Sequence, residues 1–234
     1  MSRADPFAFI KALKSIGVNL SSAEGARPEN IADRPRPMLR QLERQGFTVE
    51  AAAPSADIVK RFGFDVRTVF DVGVDTGTPL IYDAFPDAHF VLSDPVSESE
   101  DRVQHWKDKI SFDFVHCALG AKSGLAEVKI PRRPNRVRAS RASLAEFEDG
   151  NAAMFEDFET RQIDVRTLDD VARDYAGPFG LKIDTEGFEL EVIKGATETL
   201  TKCEFVIAEV SVKRRFKDGY RFSELISEMG KNGV

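Results

Sequence analysis

From residue 66 onward, short apolar runs alternate with polar segments at helical spacing. TVFDVG (68–73), HFVLSDP (89–95), FDFVHCALG (112–120), PFGLKIDTEG (178–187) and CEFVIAEVSV (203–212) read as strands. Residues 79–85, 98–108, 189–200 and 222–233 read as the helices between and after them, with Ser223 the expected cap of the last. RQIDVRTLDDV (161–171) reads as a strand running into a helix capped by Thr167. GLAEVKI (124–130) alternates apolar and polar positions and predicts an extra strand in an antiparallel excursion. Strands that are apolar throughout and alternate with helices imply a parallel sheet covered on both faces, an α/β fold of Rossmann-like type.

Two regions break this rhythm. Residues 1–62 read as a helical extension separate from the domain at 63–234. Asp5 and Pro6 open an expected helix with Phe9, Ile10, Leu13 and Ile16 on one face and Gly17 as its stop. Residues 19–37 read as a loop, and further helices are expected at 38–45 and 56–62. The second region, 131–160, reads as a polar insertion. Arg132, Arg133, Arg136, Arg138 and Arg141 precede an acidic stretch, a density of charge that argues against a strand. The expectation is a mobile lid that orders over an anionic acceptor.

Composition narrows the function. The 234 residues, 42% hydrophobic and 31% charged, suffice for one sizeable domain with an appendage. A net charge of −6 gives no global basic field, so nucleic acid is not an expected partner. Cys117 and Cys203 are the only cysteines and lie in apolar runs, which predicts buried thiols rather than a disulfide or a metal site. The N-terminus lacks the shape of a signal peptide and no apolar run approaches about 20 residues, so a cytoplasmic location without a membrane is expected.

In an open parallel sheet, ligands bind outside the carboxyl ends of the strands. At the first such end stands Asp71-Val72-Gly73-Val74-Asp75-Thr76-Gly77. This is not a dinucleotide fingerprint, because position 75 holds aspartate where a glycine belongs, and two acids would repel a pyrophosphate. They suit a ligand carrying an ammonium and a sulfonium, while Gly73 and Gly77 permit close backbone approach. Asp94 follows 23 positions after Asp71, at the next strand end, where a carboxylate can accept both hydroxyls of a ribose. The third feature is Leu181-Lys182-Ile183-Asp184-Thr185-Glu186-Gly187-Phe188-Glu189, followed by Val192-Ile193-Lys194-Gly195-Ala196.

In this order and spacing, together with Thr167-Leu168-Asp169-Asp170, these motifs resemble the FkbM-type methyltransferase family over roughly residues 66–230. The resemblance implies an S-adenosylmethionine-dependent O-methyltransferase acting on a sugar or natural-product hydroxyl. Expected cofactor contacts are Asp71, Gly73, Asp75, Gly77, Asp94 and Ala118, and no resident metal is expected. Asp184 and Glu186 are the candidate catalytic pair, with His116 a weaker candidate base. Glu209 is the residue that would complete a divalent-metal pair with Asp184. Asp75 departs from the family's usual asparagine and Asp94 from its usual glutamate. Members of this fold add two edge strands after the last helix, so an ending at Val234 raises the expectation that terminal strands are missing. Two other readings stay open: a nucleoside-binding module without activity, and a nicotinamide-dependent oxidoreductase.

Overall fold

The computed structural model describes residues 18–22, 47–51, 55–133, 136–137, 144, 157–210, 216 and 219–232. They belong to two compact units, 1–58 and 59–234. In the first unit, β1 (Val18–Ser22) and β2 (Phe47–Ala51) form an antiparallel pair with Val18 opposite Ala51 and Ser22 opposite Phe47. This corrects the reading of 1–62 as helices and loop. Phe47, Val49 and Ala51 alternate with Thr48 and Glu50, a period of two that a five-residue segment carries too briefly to stand out. The helices expected at 5–16 and 38–45 lie outside the described residues. Helix α1 covers Ala56–Lys60, shorter than the expected 56–62.

The second unit opens with β3 (Thr68–Val72), α2 (Pro79–Ala84), β4 (His89–Ser93), α3 (Glu98–Val103) with a 3-10 turn at Gln104–Trp106, and β5 (Ser111–Val115). A second sheet then intervenes: β6 (Ala118–Leu119), β7 (Gly124–Arg133), β8 (Arg136–Val137) and β9 (Asp157–Arg166). The chain returns through α4 (Leu168–Ala172), β10 (Phe179–Ile183), α5 (Glu189–Lys194), α6 (Thr197–Leu200), β11 (Cys203–Ala208) and α7 (Phe222–Lys231).

The main sheet runs β11-β10-β3-β4-β5 with every neighbouring pair parallel. The order reverses between β3 and β10: from β3 the chain winds outward through β4 to β5, then crosses back to β10 and winds the other way. Every residue of β3 and β10 is buried, as central strands covered on both faces require. Burying a side chain such as Val69, Phe70 or Leu181 contributes roughly 1.5–3 kcal/mol. One core, with Phe70, Leu181, Ile183 and Val192, lies on one face, and another, with Val69, Ile81, Phe90 and Leu92, on the other. Crossing between the halves of such a sheet leaves a crevice at the strands' carboxyl ends, the place where ligands bind in this architecture.

Three boundaries differ from the sequence reading. The expected third strand turns a corner at His116 and Cys117, so that 111–115 joins the main sheet and 118–119 the second one. The insertion expected at 131–160 loses both flanks to β7 and β9, which pair antiparallel from Gly124 opposite Val165 to Arg132 opposite Asp157. Arg132, Arg133 and Arg136 are therefore in strands, against the expectation. A long hairpin satisfies its backbone through cross-strand hydrogen bonds whatever its side-chain charge. Arg138 and Arg141 lie outside the described residues. The expected helix 189–200 breaks at Gly195, where an added Cβ would run into the Gly120 carbonyl. The Asp169 carboxylate accepts the N–H of Thr199 (2.8 Å) and of Glu198 (3.1 Å), which starts α6 as a new helix. Thr167 caps α4 as expected, accepting from the Asp170 N–H at 3.0 Å. Ser223 is not the cap of α7. That position falls to Arg221, whose N–H donates to Glu224 at 2.7 Å.

Candidate active site

The turn after β3 is held from below by a fully buried carboxylate. Asp71 is 0% exposed; it accepts the Tyr82 hydroxyl at 2.6 Å and the Thr78 hydroxyl at 3.2 Å. Lys182, next to it in register on β10, pairs with it at 3.0 Å. Asp71 thus organises the turn and does not line the crevice; burial and its negative charge push the Tyr82 phenol up. The same ammonium donates to the Gly73 carbonyl at 3.1 Å and stands 4.0 Å from the Asp184 carboxylate.

Above it, Gly73 has φ +73° and Gly77 φ +104°, conformations that favour glycine. Both line the cavity, and both also stand where the protein itself leaves no space for a side chain. A Cβ on Gly73 would collide with the Asp184 backbone carbonyl, and one on Gly77 with the rings of Trp106 and Tyr82. The glycines let the two strand ends and the turn pack together. Asp75 also has positive φ, +43°, which asparagine and aspartate tolerate better than most residues. That shared tolerance explains how aspartate replaces the family's asparagine. Its carboxylate pairs with Arg102, so the negative charge expected at this corner is largely balanced.

Asp94 follows β4 directly, with 6% exposure. Its two oxygens accept the N–H groups of Asp75 (3.0 Å) and Val96 (2.9 Å), tying the first turn to the second strand end. Burial pushes its carboxyl above the usual range, and the two backbone donors oppose that shift.

At the far side, the loop after β10 is shaped by Glu189. This buried carboxylate accepts the N–H groups of Thr185 (3.1 Å) and Gly187 (3.0 Å), and its second oxygen accepts the Tyr220 hydroxyl at 2.6 Å. The loop carries Glu186 at φ +50° and Gly187 at φ +100°. A non-glycine residue there costs on the order of 1–3 kcal/mol, sustained by surroundings that fix the loop. The Glu209 N–H donates to the Ile183 carbonyl at 2.9 Å, bringing the end of β11 alongside. Asp184, Glu186 and Glu209 all line the crevice. Burial, together with Glu209, Glu186 and Glu189, pushes the Asp184 carboxyl up to about 6, and Lys182 pulls the other way.

The resulting cavity has a volume of 490 Å³, within the range of small-molecule sites. It joins Gly73, Asp75, Gly77, Asp94, Ala118, Asp184 and Glu186, whereas Asp71 supports it from beneath. His116 does not line it; its ring donates to the Pro95 carbonyl at 3.0 Å. Leu144, from within the insertion, packs on the second sheet's core and reaches the cavity wall.

Residues 57–233 match the family described as the methyltransferase FkbM domain. The chain belongs to the FkbM methyltransferase family. A solved FkbM methyltransferase from Methylobacillus flagellatus also matches, at 18% identity and a TM-score of 0.38, over 58% of this chain and 30% of that one. No curated protein matches.

Family membership explains the order of the motifs, and the structure shows what three of them do: Asp71 fastens the first turn, Asp169 starts α6, and Glu189 closes the loop after β10. The sequence reading misses Lys182, which lines the cavity, and Arg102 and Tyr82, which hold Asp75 and Asp71 from behind. Lys182 carries a signal, a lone charge within the buried run L-K-I beside Asp71 in the neighbouring strand; Arg102 and Tyr82 carry none, since both sit at ordinary helical positions. Among the described residues, no group of three or more His, Cys, Asp or Glu side chains is arranged to hold a metal ion. Cys117 and Cys203 are free thiols, buried and half-buried. Among the described residues, no helix is long and apolar enough to cross a membrane.

Proposed function

We propose that this chain transfers the methyl group of S-adenosylmethionine to a hydroxyl of a sugar or natural-product acceptor. The observation that carries the reading is the charge of the cavity at the strand crossover. Its lining presents the carboxylates of Asp184, Glu186 and Glu209, and its one lysine among the described residues, Lys182, is already paired with Asp71 and bonded to the Gly73 carbonyl. A nicotinamide dinucleotide brings two phosphates and would meet like charge. An ammonium and a sulfonium meet opposite charge, and 490 Å³ has room for a nucleoside joined to an amino acid. The residues present therefore fit the cofactor. Gly73 to Gly77 and Asp94 would hold it from the first two strand ends and Ala118 from the second sheet.

When bound, S-adenosylmethionine supplies an electrophilic methyl carbon. The protein's part is to align the acceptor oxygen with that carbon and to take one proton. Asp184 is suited to taking the proton. It stands at the cavity floor, partly shielded from water, and its carboxyl titrates near 6, so it is mostly ionised at neutral pH.

Replacing Asp94 with alanine is expected to weaken S-adenosylhomocysteine binding by about 1–3 kcal/mol in a calorimetric titration. Unchanged affinity would mean that the ribose is not held there. The transfer itself is tested with methyl-labelled S-adenosylmethionine and a panel of hydroxylated sugars and natural products. Label appearing as an O-methyl group in a product supports the reading; label found only on nitrogen, or in no product, contradicts it.

A further inference from the structure

We propose that Lys182 is a positioning residue for methyl transfer, a buried cation shared between Asp71 and Asp184 that holds the Asp184 carboxylate ionised at the cavity floor. The proposal rests on the reading of Asp184 as the proton acceptor. Lysine is costly in a strand buried on both faces, several kcal/mol for the unpaired ion, so its place between Leu181 and Ile183 demands compensation. The ammonium pairs with Asp71 at 3.0 Å, donates to the Gly73 carbonyl at 3.1 Å, and stands at ion-pair distance, 4.0 Å, from Asp184. These belong to both halves of the sheet, so the side chain spans the crossover beneath the proposed reacting centre.

Asp71, fully buried, is held both by this cation and by the hydroxyls of Tyr82 and Thr78. For Asp184 the same cation is the opposite charge among the groups that act on its carboxyl. The charged groups bearing on it are Glu186 and Glu189 from the loop and α5, Glu209 beyond β11, and Lys182 from its own strand; the three glutamates disfavour its ionised form and the lysine favours it. A purely structural lysine would fasten β3 to β10 without setting when Asp184 accepts a proton. A positioning lysine does both, and the two roles separate in their dependence on pH.

The test compares wild type with Lys182→Met, and with Asp71→Asn/Lys182→Met, in which no buried carboxylate is left unpaired should the single variant fail to fold. Turnover is followed against pH with an accepted hydroxyl substrate, and the Asp184 carboxyl is titrated by carbon-13 NMR in full-length protein. Loss of an opposite charge at this range is expected to raise the Asp184 titration by about one pH unit. Turnover should then fall about fivefold at pH 6 and less than twofold at pH 9 relative to wild type, with Lys182→Arg keeping the wild-type titration. An unmoved carboxyl titration, or an equal loss at every pH, overturns the proposal. A shifted NMR titration beside an unmoved rate profile would instead uphold the lysine's hold on Asp184 and remove Asp184 as the base.

Discussion

If Asp184 is the proposed proton acceptor, replacing it with asparagine is expected to lower methyl transfer by about 10²–10⁴-fold, the usual contribution of such a group, while the protein stays folded and becomes slightly more resistant to heat. The second half follows from the sign of its titration. The folded-state carboxyl is pushed up to about 6 by burial and by the neighbouring glutamates, above the unfolded range of about 4. A group so raised contributes stability below its unfolded value and loses that contribution as pH rises through 4 to 6. At neutral pH its charged form therefore works against folding, and a neutral amide of the same shape relieves the cost. The effect is modest, because the side chain is 36% exposed and water screens it. In the wild type, turnover should climb through about pH 6 as the carboxyl ionises. Thermal unfolding and a rate profile measured on the same preparations check both parts. A variant that unfolds early but turns over normally per folded molecule would make Asp184 a structural residue.

The Gly73→Ala protein should be destabilised by roughly 2–6 kcal/mol, from positive-φ strain together with overpacking. The new Cβ would strike the Asp184 backbone carbonyl, and neither strand end can retreat, because both are hydrogen-bonded into the centre of the sheet. Gly63 provides the control. It too has positive φ, +69°, but no atom lies within 4 Å of a Cβ built there. Gly63→Ala should cost only the backbone term, about 1–2 kcal/mol. Denaturant midpoints separate the two; equal losses would mean that the contact between the strand ends at the crossover does not constrain Gly73.

Both substitutions act where the sequence was most legible. The apolar runs around Val69–Val72 and Leu181–Ile183 identify central strands because both faces are buried, and the glycines and acids directly after them mark the turns at their ends. The strand exchange between sheets at His116 and Cys117 was illegible, since a corner within one apolar run leaves no mark in its periodicity. The β7–β9 hairpin was legible at 124–130 and from 161, but its far end, 131–133 and 157–160, carries arginines and acids, and charge reads as loop although backbone pairing tolerates it. Asp71 shows the limit at the site itself. An acid beside a glycine turn announces a ligand, but only the register of β3 against β10 reveals that Lys182, Tyr82 and Thr78 consume it first. The acids that line the cavity, Asp75, Asp94, Asp184, Glu186 and Glu209, come from four separate stretches of the chain.

That acidic face makes calorimetric titration of the full-length protein with S-adenosylhomocysteine and, separately, with NAD the most direct measurement. The proposed function predicts saturable one-to-one binding of S-adenosylhomocysteine, weakened by Asp94→Ala, and no binding of NAD at the same concentrations. Binding of NAD with none of S-adenosylhomocysteine would contradict the assignment of the cavity at the β3–β10 crossover to a methyl donor.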